Sequence, residues 1–311
     1  MSAFLYTENN YSIFQLNGDR VIAELDGYLA MPVNSLTPGT WQKNFLLNST
    51  GKIEAEITLM RMEENDCMAV MPDACADRFF DFFDRNLSPD TTMADISDVL
   101  STVEIWGESA QEILSTLAGN NTALPTDGEW RKIPFGEINV IIAAEKNNSF
   151  TIISATAAVE TMLEKFDAFD NIAEAEFEDY ELFRISAGIP AFPTEINPGR
   201  TPVECGISSL ISMAEKREFR GAKAMLEKRP QTALALICCE NSRKFKPGCV
   251  VKFNARKSGI ITSSAYDREN HRSVAFAEIE AKNNISTDDS ISVESEKGII
   301  QGKVVKLQFF S

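Results

Sequence analysis

The chain has 311 residues, of which 44% are apolar, and it carries a formal net charge of −16 at neutral pH. This length exceeds that of one average domain and the composition supports a large core, so we expect two or three folded lobes and no extended disorder. The acidic balance argues against nucleic-acid binding, which needs a concentrated basic face, and no apolar run approaches the twenty residues of a membrane span.

Hydrophobic periodicity predicts alternating strands and helices in the first half of the chain. Period-two alternation indicates strands, and apolar residues three to four positions apart indicate helices. The predicted strands cover residues 11–16, 42–48, 53–61, 67–71, 103–106, 138–144 and 150–154. The predicted helices cover residues 21–29, 72–85, about 109–117 and about 159–166. Repeated strands and helices with short connections indicate an α+β fold with ferredoxin-like sheets.

Two of these helices carry further signals. Ser109 and Glu112 fit a capping box at the start of a helix. In the helix predicted after residue 71, Phe79, Phe82 and Phe83 lie on one face. We assign this aromatic stripe to the core, because aromatic side chains at helical spacing are usually buried.

Residues 183–204 form the segment around which the chain is predicted to be organised. Phe183 and Ile185 favour a strand that carries Arg184, and a long loop rich in glycine and proline follows. A fixed charge beside irregular backbone is typical of ligand sites. The sequence therefore predicts a binding site here.

The last third of the chain changes from helix to strand. A helix predicted from Gly221 to about residue 229 turns Phe219, Ala222 and Leu226 toward the core. Short β-prone runs separated by turn residues then predict a small barrel or a jelly roll. These runs cover residues 234–238, 250–253, 259–263, 274–279, 291–293 and 299–307.

The distribution of charge and the few cysteines and histidines limit the kinds of functional site that the chain can form. Residues 1–190 contain 32 acidic and 11 basic side chains, whereas residues 191–311 contain 14 acidic and 19 basic ones. The basic excess of the second part fits either a solvated surface or the mouth of an anion-binding site. Six cysteines form no C-x-x-C pair and His271 is the one histidine, so we expect neither a zinc site nor Ser/His/Asp catalysis. The N-terminus lacks a basic segment followed by an apolar one, which predicts a cytoplasmic protein.

Three short motifs follow one another in the central region. They are Arg-Ile-x-Ala-Gly-Ile-Pro at residues 184–190, Thr-Pro-x-Glu at residues 201–204 and Lys-x-x-Phe-x-Gly at residues 216–221. Their order resembles the folate-binding superfamily that contains the glycine-cleavage T-protein, an aminomethyltransferase, and its YgfZ-type relatives. A segment at residues 257–264 is similar to the Gly-x-x-Thr-Ser element of that superfamily and extends the resemblance to about residues 13–309.

The resemblance implies a cloverleaf, GcvT-like architecture. Two ferredoxin-like, β-rich lobes would surround a central cavity, and a C-terminal β-barrel would follow. The folate-binding, aminomethyltransferase-like region would take residues 1–232, with one lobe at about 1–51 and 121–232 and the other at 52–120. The barrel would take residues 233–311.

The resemblance also implies a set of folate-binding residues. Arg184 matches the arginine of the central segment, and Glu204 matches the glutamate of Thr-Pro-x-Glu. For both, an internal salt bridge or hydrogen bond is an equal alternative. Asn48 lies in a hairpin turn that approaches the ligand in the family, although a plain β-turn explains it equally well. Tyr180 aligns with an arginine of the family.

Two other positions depart from the family pattern. The T-protein has an aspartate near the folate nitrogen, placed after a strand equivalent to residues 67–71; here Asp73 and Asp77 are the catalytic candidates. A glutamate reads the donor edge of the pterin in the T-protein, and Thr151 aligns with it, although threonine cannot supply a paired acceptor. The chain also ends before the arginine segment that closes the T-protein.

Two classes of function follow from the resemblance. The first is a tetrahydrofolate-dependent aminomethyltransferase that moves a one-carbon unit from a small molecule or from the lipoyl arm of a partner protein. The alternative is a non-catalytic, folate-binding YgfZ-like protein that acts in regulation or iron–sulfur cluster maintenance. The reactive cysteine of the YgfZ-type motif is absent from the corresponding residues 215–223.

Overall fold

A computed structural model describes residues 2–7, 10–119, 122–207, 209–240, 244–296 and 298–307. Contacts within the chain group it into two compact units. The first comprises Met1–Phe45 and Glu56–Phe177, and the second comprises Leu46–Ala55 and Glu178–Ser311. The lobe boundaries implied by the resemblance stay a prediction. None of the helices in the described ranges is long and apolar enough to cross a membrane.

The first unit contains two sheets. Strand β1, Ala3–Tyr6, belongs to a six-stranded sheet, and the next five strands form the other sheet: β2 Tyr11–Asn17, β3 Trp41–Leu47, β4 Ile53–Glu63, β5 Asp66–Pro72 and β6 Thr92–Asp95. These five pair in the order β3-β4-β5-β2-β6. Helix α1, Val21–Tyr28, follows β2, and helix α2, Asp73–Asn86, follows β5 directly. The elements predicted between residues 11 and 85 are confirmed, with small shifts at their ends.

Five further strands complete the six-stranded sheet: β7 Leu100–Gly107, β8 Trp130–Phe135, β9 Ile138–Glu145, β10 Ser149–Ala155 and β11 Ile172–Glu174. The order is β11-β1-β7-β10-β9-β8, and β1 and β11 run parallel. Helices α3, Ala110–Ala118, and α4, Val159–Leu163, lie among them in the sequence. Helix α3 begins directly after Ser109, but the Ser109 side chain makes no capping hydrogen bond, so the predicted capping box is wrong.

The sequence does not predict β1, and it also misses β6, β8 and β11, the three of which lie at the edges of their sheets. Most of their residues are exposed or half-buried. An edge strand that buries little surface carries no strong apolar alternation, which is the signal that the prediction depends on. The three edge strands therefore share one physical cause, whereas β1 is buried inside its sheet but has only four residues, too few to show a clear period.

The six-stranded sheet packs on both faces. Ile142 shares a core with Ile113 of α3, whereas its neighbour Ala143 packs with Ile13 and Met68 of the five-stranded sheet. Successive residues of a strand point to opposite faces, so the two cores lie on opposite sides of the sheet. The first unit is therefore layered, with one sheet facing the other across an apolar interior.

The aromatic stripe of α2 covers the five-stranded sheet. Phe79 and Phe83 are fully buried, with ring centroids 4.6 Å apart, and the Phe79 ring lies 5.3 Å from that of Phe14 on β2. Phe82 packs edge-on against Tyr28 at 5.1 Å. The assignment to the core is confirmed for Phe79 and Phe83, whereas Phe82 is half-buried.

The second unit contains helix α5, Phe177–Ser186, where the sequence predicts a strand over residues 183–185; that prediction is wrong. Two carboxylates lie in the first turn of α5, where they complement the helix dipole. Glu181 lies one turn before Arg184 and forms an ion pair with it, a contact that requires helical spacing. These interactions outweigh the β propensity of the aromatic and branched residues nearby.

Two short helices follow in the second unit, α6 Ser209–Ala214 and α7 Ala222–Glu227. Phe219 and Ala222 are buried as predicted. Leu226 is 41% exposed, so its predicted core position is wrong, and Met225 is buried in its place. Helix α7 ends at Glu227, about two residues before its predicted end.

Six strands close into a barrel: β12 Thr232–Glu240, β13 Val250–Phe253, β14 Arg256–Asp267, β15 Arg272–Glu280, β16 Ser290–Ser295 and β17 Gly298–Lys306. Their order is β12-β15-β14-β13-β16-β17, and β17 closes the barrel by pairing antiparallel with β12. Side chains such as Ile237, Val251 and Val293 fill the interior. Of the two predicted alternatives, the structure has the barrel, and the predicted α+β class is confirmed.

Candidate functional site

A cleft of about 700 Å³ opens in the first unit where β2 and β7 meet the start of α2 and helix α4. Four carboxylates line it: Asp73, Glu160, Glu164 and Asp167. Among the described lining residues there is no basic side chain. The cleft therefore favours a cationic group over a phosphate or a carboxylate.

Of the two catalytic candidates, only Asp73 lies at this cleft. It is the first residue of α2, and its Oδ1 accepts a hydrogen bond of 2.7 Å from Ser12 Oγ. Asp77 lies one turn further along α2 and is exposed, outside the residues that line the cleft. The structure thus separates the two candidates, and a catalytic role for either stays a prediction.

Six polar side chains meet in the layer between the two sheets of the first unit, and we call them the polar cluster. They are Tyr11, Lys43, Glu56, Glu104, Glu145 and Thr151. Tyr11 also lines the cleft, so the cleft and the polar cluster adjoin.

The register of the six-stranded sheet places three of these side chains on one face. Thr151 of β10 pairs with Glu104 of β7 on one side and with Ala143 of β9 on the other. Directly paired residues share a face, and residues two apart along a strand do so as well, which brings Glu145 to the same face. Ala143 shows that this face is the one turned toward the five-stranded sheet.

Three polar contacts hold the polar cluster together. Thr151 Oγ1 donates a hydrogen bond of 3.0 Å to Glu145 Oε1, and Tyr11 Oη donates one of 3.4 Å to Glu104 Oε1. The third contact joins Lys43 Nζ and Glu56 Oε1 at 3.5 Å. Each contact fixes one carboxyl group, and the three carboxyl groups, Glu56, Glu104 and Glu145, lie on three different strands.

The polar cluster changes the acidity of its members. Burial, followed by repulsion from Glu145, raises the pKa of Glu104 to about 8, although Lys43 and the Tyr11 hydroxyl act in the opposite direction. Burial alone would lower the pKa of Lys43, but Glu56, Glu145 and Glu104 together hold this pKa above its usual value. At neutral pH the Lys43 ammonium is therefore charged, and Glu104 is largely protonated.

The polar cluster is also open to solvent. The Lys43 side chain keeps 32% of its surface exposed, whereas Glu56 keeps 7%. Glu104 and Glu145 are half-buried. A ligand can therefore reach groups that are, at the same time, desolvated enough to have perturbed acidity.

Arg184 lies in the second unit, where it is 2% exposed and bonded on several sides. Its guanidinium pairs with Glu181 and donates a hydrogen bond of 3.0 Å to Glu195 Oε2. Glu195 is fully buried and accepts two further bonds from the hydroxyls of Thr262 and Ser263 on β14. This network ties the segment after α5 to the barrel, and a folate-binding role of Arg184 stays a prediction.

The other predicted folate-binding residues also lie in the second unit. Glu204 accepts hydrogen bonds from Thr201 and from the backbone N–H of Gln231; burial raises its pKa, but these donors outweigh burial and lower it. Asn48 Oδ1 accepts from two backbone N–H groups of its own hairpin turn. Tyr180 is half-buried on α5, one turn before Arg184. Their roles toward a ligand stay predictions.

The architecture has a counterpart among solved structures. The aminomethyltransferase T of the glycine cleavage system from Bartonella henselae superposes with a TM-score of 0.86 at 18% identity, over 99% of this chain and 86% of that chain. The protein thus has an aminomethyltransferase-type fold. A family model described as the GCVT N-terminal domain matches residues 3–215, and the chain belongs to this glycine-cleavage T-protein family. The resemblance noted in the sequence is confirmed.

Relatives of similar length carry the name aminomethyltransferase. The Bacillus subtilis protein is 21% identical over 330 residues, which cover 99% of this chain and 88% of the relative. The Nitrosomonas eutropha protein is 23% identical over 305 residues, with 94% and 82% covered. The Listeria welshimeri protein is 19% identical over 316 residues, with 99% and 86% covered.

The sequence did not indicate Lys43, Glu104 and Glu145, three members of the polar cluster, as candidate site residues. One signal was available, since Glu104 lies inside a predicted strand and shares a face with the buried Trp106. A carboxylate at an inward position of a strand is costly unless it is paired or protonated. The other two residues lie on separate strands and give no such local signal.

Proposed function

We propose that this protein binds tetrahydrofolate on the polar cluster and catalyses tetrahydrofolate-dependent aminomethyl transfer. The family and the fold support this class of reaction. The single observation that carries the proposal is the position of Glu145 and Glu104 beside Thr151, the residue that aligns with the pterin-reading glutamate.

The chemistry of the polar cluster fits a pterin. The pyrimidine edge of a pterin presents adjacent N–H donors, and a carboxylate aimed at that edge makes paired, charge-assisted hydrogen bonds. Thr151 cannot make them, but it donates to Glu145 at 3.0 Å and so holds a carboxylate at its own side. Glu145 lies on the neighbouring strand β9. The carboxylate that accepts from the pterin would therefore come from Glu145 and not from the aligned position, Thr151.

The acidic cleft fits the other reactant. An aminomethyl group on a lipoyl sulfur is a cation when its amine is protonated, and the four carboxylates of the cleft favour such a charge. Bound tetrahydrofolate supplies the two nitrogens that take up the carbon, while the carbon–sulfur bond breaks and a thiol and ammonia leave. Asp73 would hold the amine and accept or return its proton, and the remainder of catalysis is positioning.

The relatives described above are aminomethyltransferases, and they do not favour the alternative of a non-catalytic, YgfZ-like protein. The partner in this proposal is a lipoyl-carrier protein that brings the aminomethyl group. Folate would serve as the acceptor of the carbon and not as a structural occupant.

Folate binding can be followed with the three tryptophans of the chain, all of which lie in the first unit. Trp41 Nε1 donates a hydrogen bond of 3.1 Å to the carbonyl of Ala144, next to Glu145. Titration with 5-formyltetrahydrofolate, a stable reduced folate, should quench this fluorescence with a Kd on the order of micromolar. Glu145→Gln should weaken binding about 10- to 100-fold, because the amide turns a donor toward the donor edge of the pterin.

The matched control is Glu137→Gln, in the exposed turn between β8 and β9, which should leave the Kd unchanged. Catalysis is measured separately as ammonia released from an aminomethylated lipoyl-carrier protein in the presence of tetrahydrofolate, and Asp73→Asn should lower kcat. Absence of a saturable quench in the parent protein would refute folate binding. Tight binding without ammonia release would refute aminomethyl transfer alone.

A further inference from the structure

We propose that Glu104 and Glu145 hold one proton between them when the ligand binds, with Glu104 as a neutral donor and Glu145 as the acceptor. The pair would then select a ring edge on which a carbonyl oxygen lies next to N–H donors. This inference rests on the proposed folate binding, but it fails separately from it.

The geometry of the pair carries the inference. Thr151 of β10 lies between β7, which carries Glu104, and β9, which carries Glu145, and the three side chains share one face. Thr151 Oγ1 donates to Glu145 Oε1 at 3.0 Å, whereas Glu104 Oε1 accepts from Tyr11 Oη. The two carboxyl groups are therefore close to one another but differ in their surroundings.

Charge balance within the polar cluster gives the same result. The polar cluster contains one cation, Lys43, and three carboxyl groups, and Lys43 already lies 3.5 Å from Glu56. The titratable groups that face Glu104 are Glu145 on β9, Lys43 on β3 and Tyr11 on β2. If Glu104 and Glu145 were both ionised, one cation would face three anions in a partly desolvated layer, which is unfavourable.

The identity of the protonated group also follows. Desolvation and the charge of Glu145 raise the pKa of Glu104 to about 8, so Glu104 is the member of the pair that keeps the proton at neutral pH. A neutral carboxyl group donates one hydrogen bond and still accepts another. Glu145 then accepts from two adjacent N–H donors, and Glu104 donates to the neighbouring carbonyl oxygen of a 4-oxopterin.

A ring with an amino group in place of that carbonyl would be rejected. Its amino group does not accept a hydrogen bond from the Glu104 O–H, so this O–H would lose its acceptor on the ligand. A site that hydrogen-bonds a ligand group discriminates strongly against an analogue that leaves its buried polar group unpaired. The carboxyl pair thus determines specificity at ring position 4.

The test is the pH dependence of 5-formyltetrahydrofolate binding to the whole 311-residue chain. If the ligand binds only the form with protonated Glu104, the Kd should be about tenfold weaker at pH 9 than at pH 7, given a pKa of about 8. Calorimetry in two buffers of different ionisation enthalpy should then show an uptake of about 0.9 proton per ligand at pH 9 and about 0.1 at pH 7.

Two variants separate the proton from the side chain. Glu104→Gln keeps an N–H donor at every pH, so it should bind with the same Kd at pH 7 and pH 9 and without proton uptake. Glu104→Leu offers no donor and should bind weakly at both pH values. Glu104→Gln also reports any titration of the ligand itself, which would remain in this variant.

The outcomes are distinct. Saturable binding by the parent protein with one Kd at both pH values and no proton uptake would overturn the shared proton and leave folate binding intact. The same tenfold change in Glu104→Gln would assign the titration to another group and would also overturn it. No saturable binding at either pH would overturn the proposed function and this inference together.

Discussion

Replacement of Arg184 by alanine should strongly destabilise the second unit. Arg184 and Glu195 are 2% and 0% exposed, and their side chains form a hydrogen-bonded ion pair of 3.0 Å. Removing one partner of a buried pair leaves the other charge without compensation, which typically costs about 3–5 kcal/mol. Glu195 keeps the hydroxyls of Thr262 and Ser263 as donors, so we expect the lower half of that range.

Urea denaturation followed by far-ultraviolet circular dichroism measures this free energy of unfolding. The matched control is Arg85→Ala, because Arg85 and Asp81 form an exposed ion pair of 3.5 Å with side chains that are 72% and 65% exposed. The control should change stability by less than about 0.5 kcal/mol. A loss below about 1 kcal/mol in Arg184→Ala would refute the argument from burial. A weaker folate Kd per folded molecule would instead support the predicted ligand contact.

Three more substitutions test packing and acidity. Chemical denaturation should show that Gly221→Ala destabilises the protein by about 1–3 kcal/mol more than Gly119→Ala. Both glycines have a φ of +83°, but only at Gly221 would the new Cβ lie 2.4 Å from a carbonyl oxygen. Phe79→Ala should cost about 3–5 kcal/mol and Phe80→Ala far less, since their exposures are 0% and 41%; equal losses would contradict the core assignment. The raised pKa of Glu104 contributes stability that is complete below about pH 4.5 and is lost as the pH rises through about 8. The Tm of the parent protein should therefore fall between these two pH values, and the Tm of Glu104→Gln should fall less.

The sequence predicts most of the fold because most elements bury one face. Strands such as β2 and β15, and helix α2 with its phenylalanine stripe, carry a period that follows directly from the side they bury. The edge strands β6, β8 and β11 bury little and give no such period. A strand or helix can therefore be predicted where it buries one face along its own length. It cannot be predicted where pairing with a neighbouring strand determines that it forms.

The error at α5 has a different cause. Phe183, Arg184 and Ile185 have the composition of a strand. The ion pair of Arg184 with Glu181 and the two carboxylates in the first turn of α5 show why a helix forms instead. Strand propensity depends strongly on context, and here local charge pairs and tertiary packing override it. Ile185 is fully buried in a cluster with Leu234 of the barrel, a contact between residues that are far apart in the sequence.

The polar cluster could not be predicted because it depends on strand register. Position-by-position comparison leads to Thr151, which cannot read a pterin, and therefore suggests that the function is lost. In the hairpin of β9 and β10, Glu145 pairs with Ser149 and lies diagonally opposite Thr151, close enough for a 3.0 Å hydrogen bond. A ligand forms hydrogen bonds with a carboxylate according to where its oxygens lie in space, whichever residue carries them. In the proposed folate site the carboxylate has thus moved by one pleat across the hairpin, and such a displacement is visible only once the register is known.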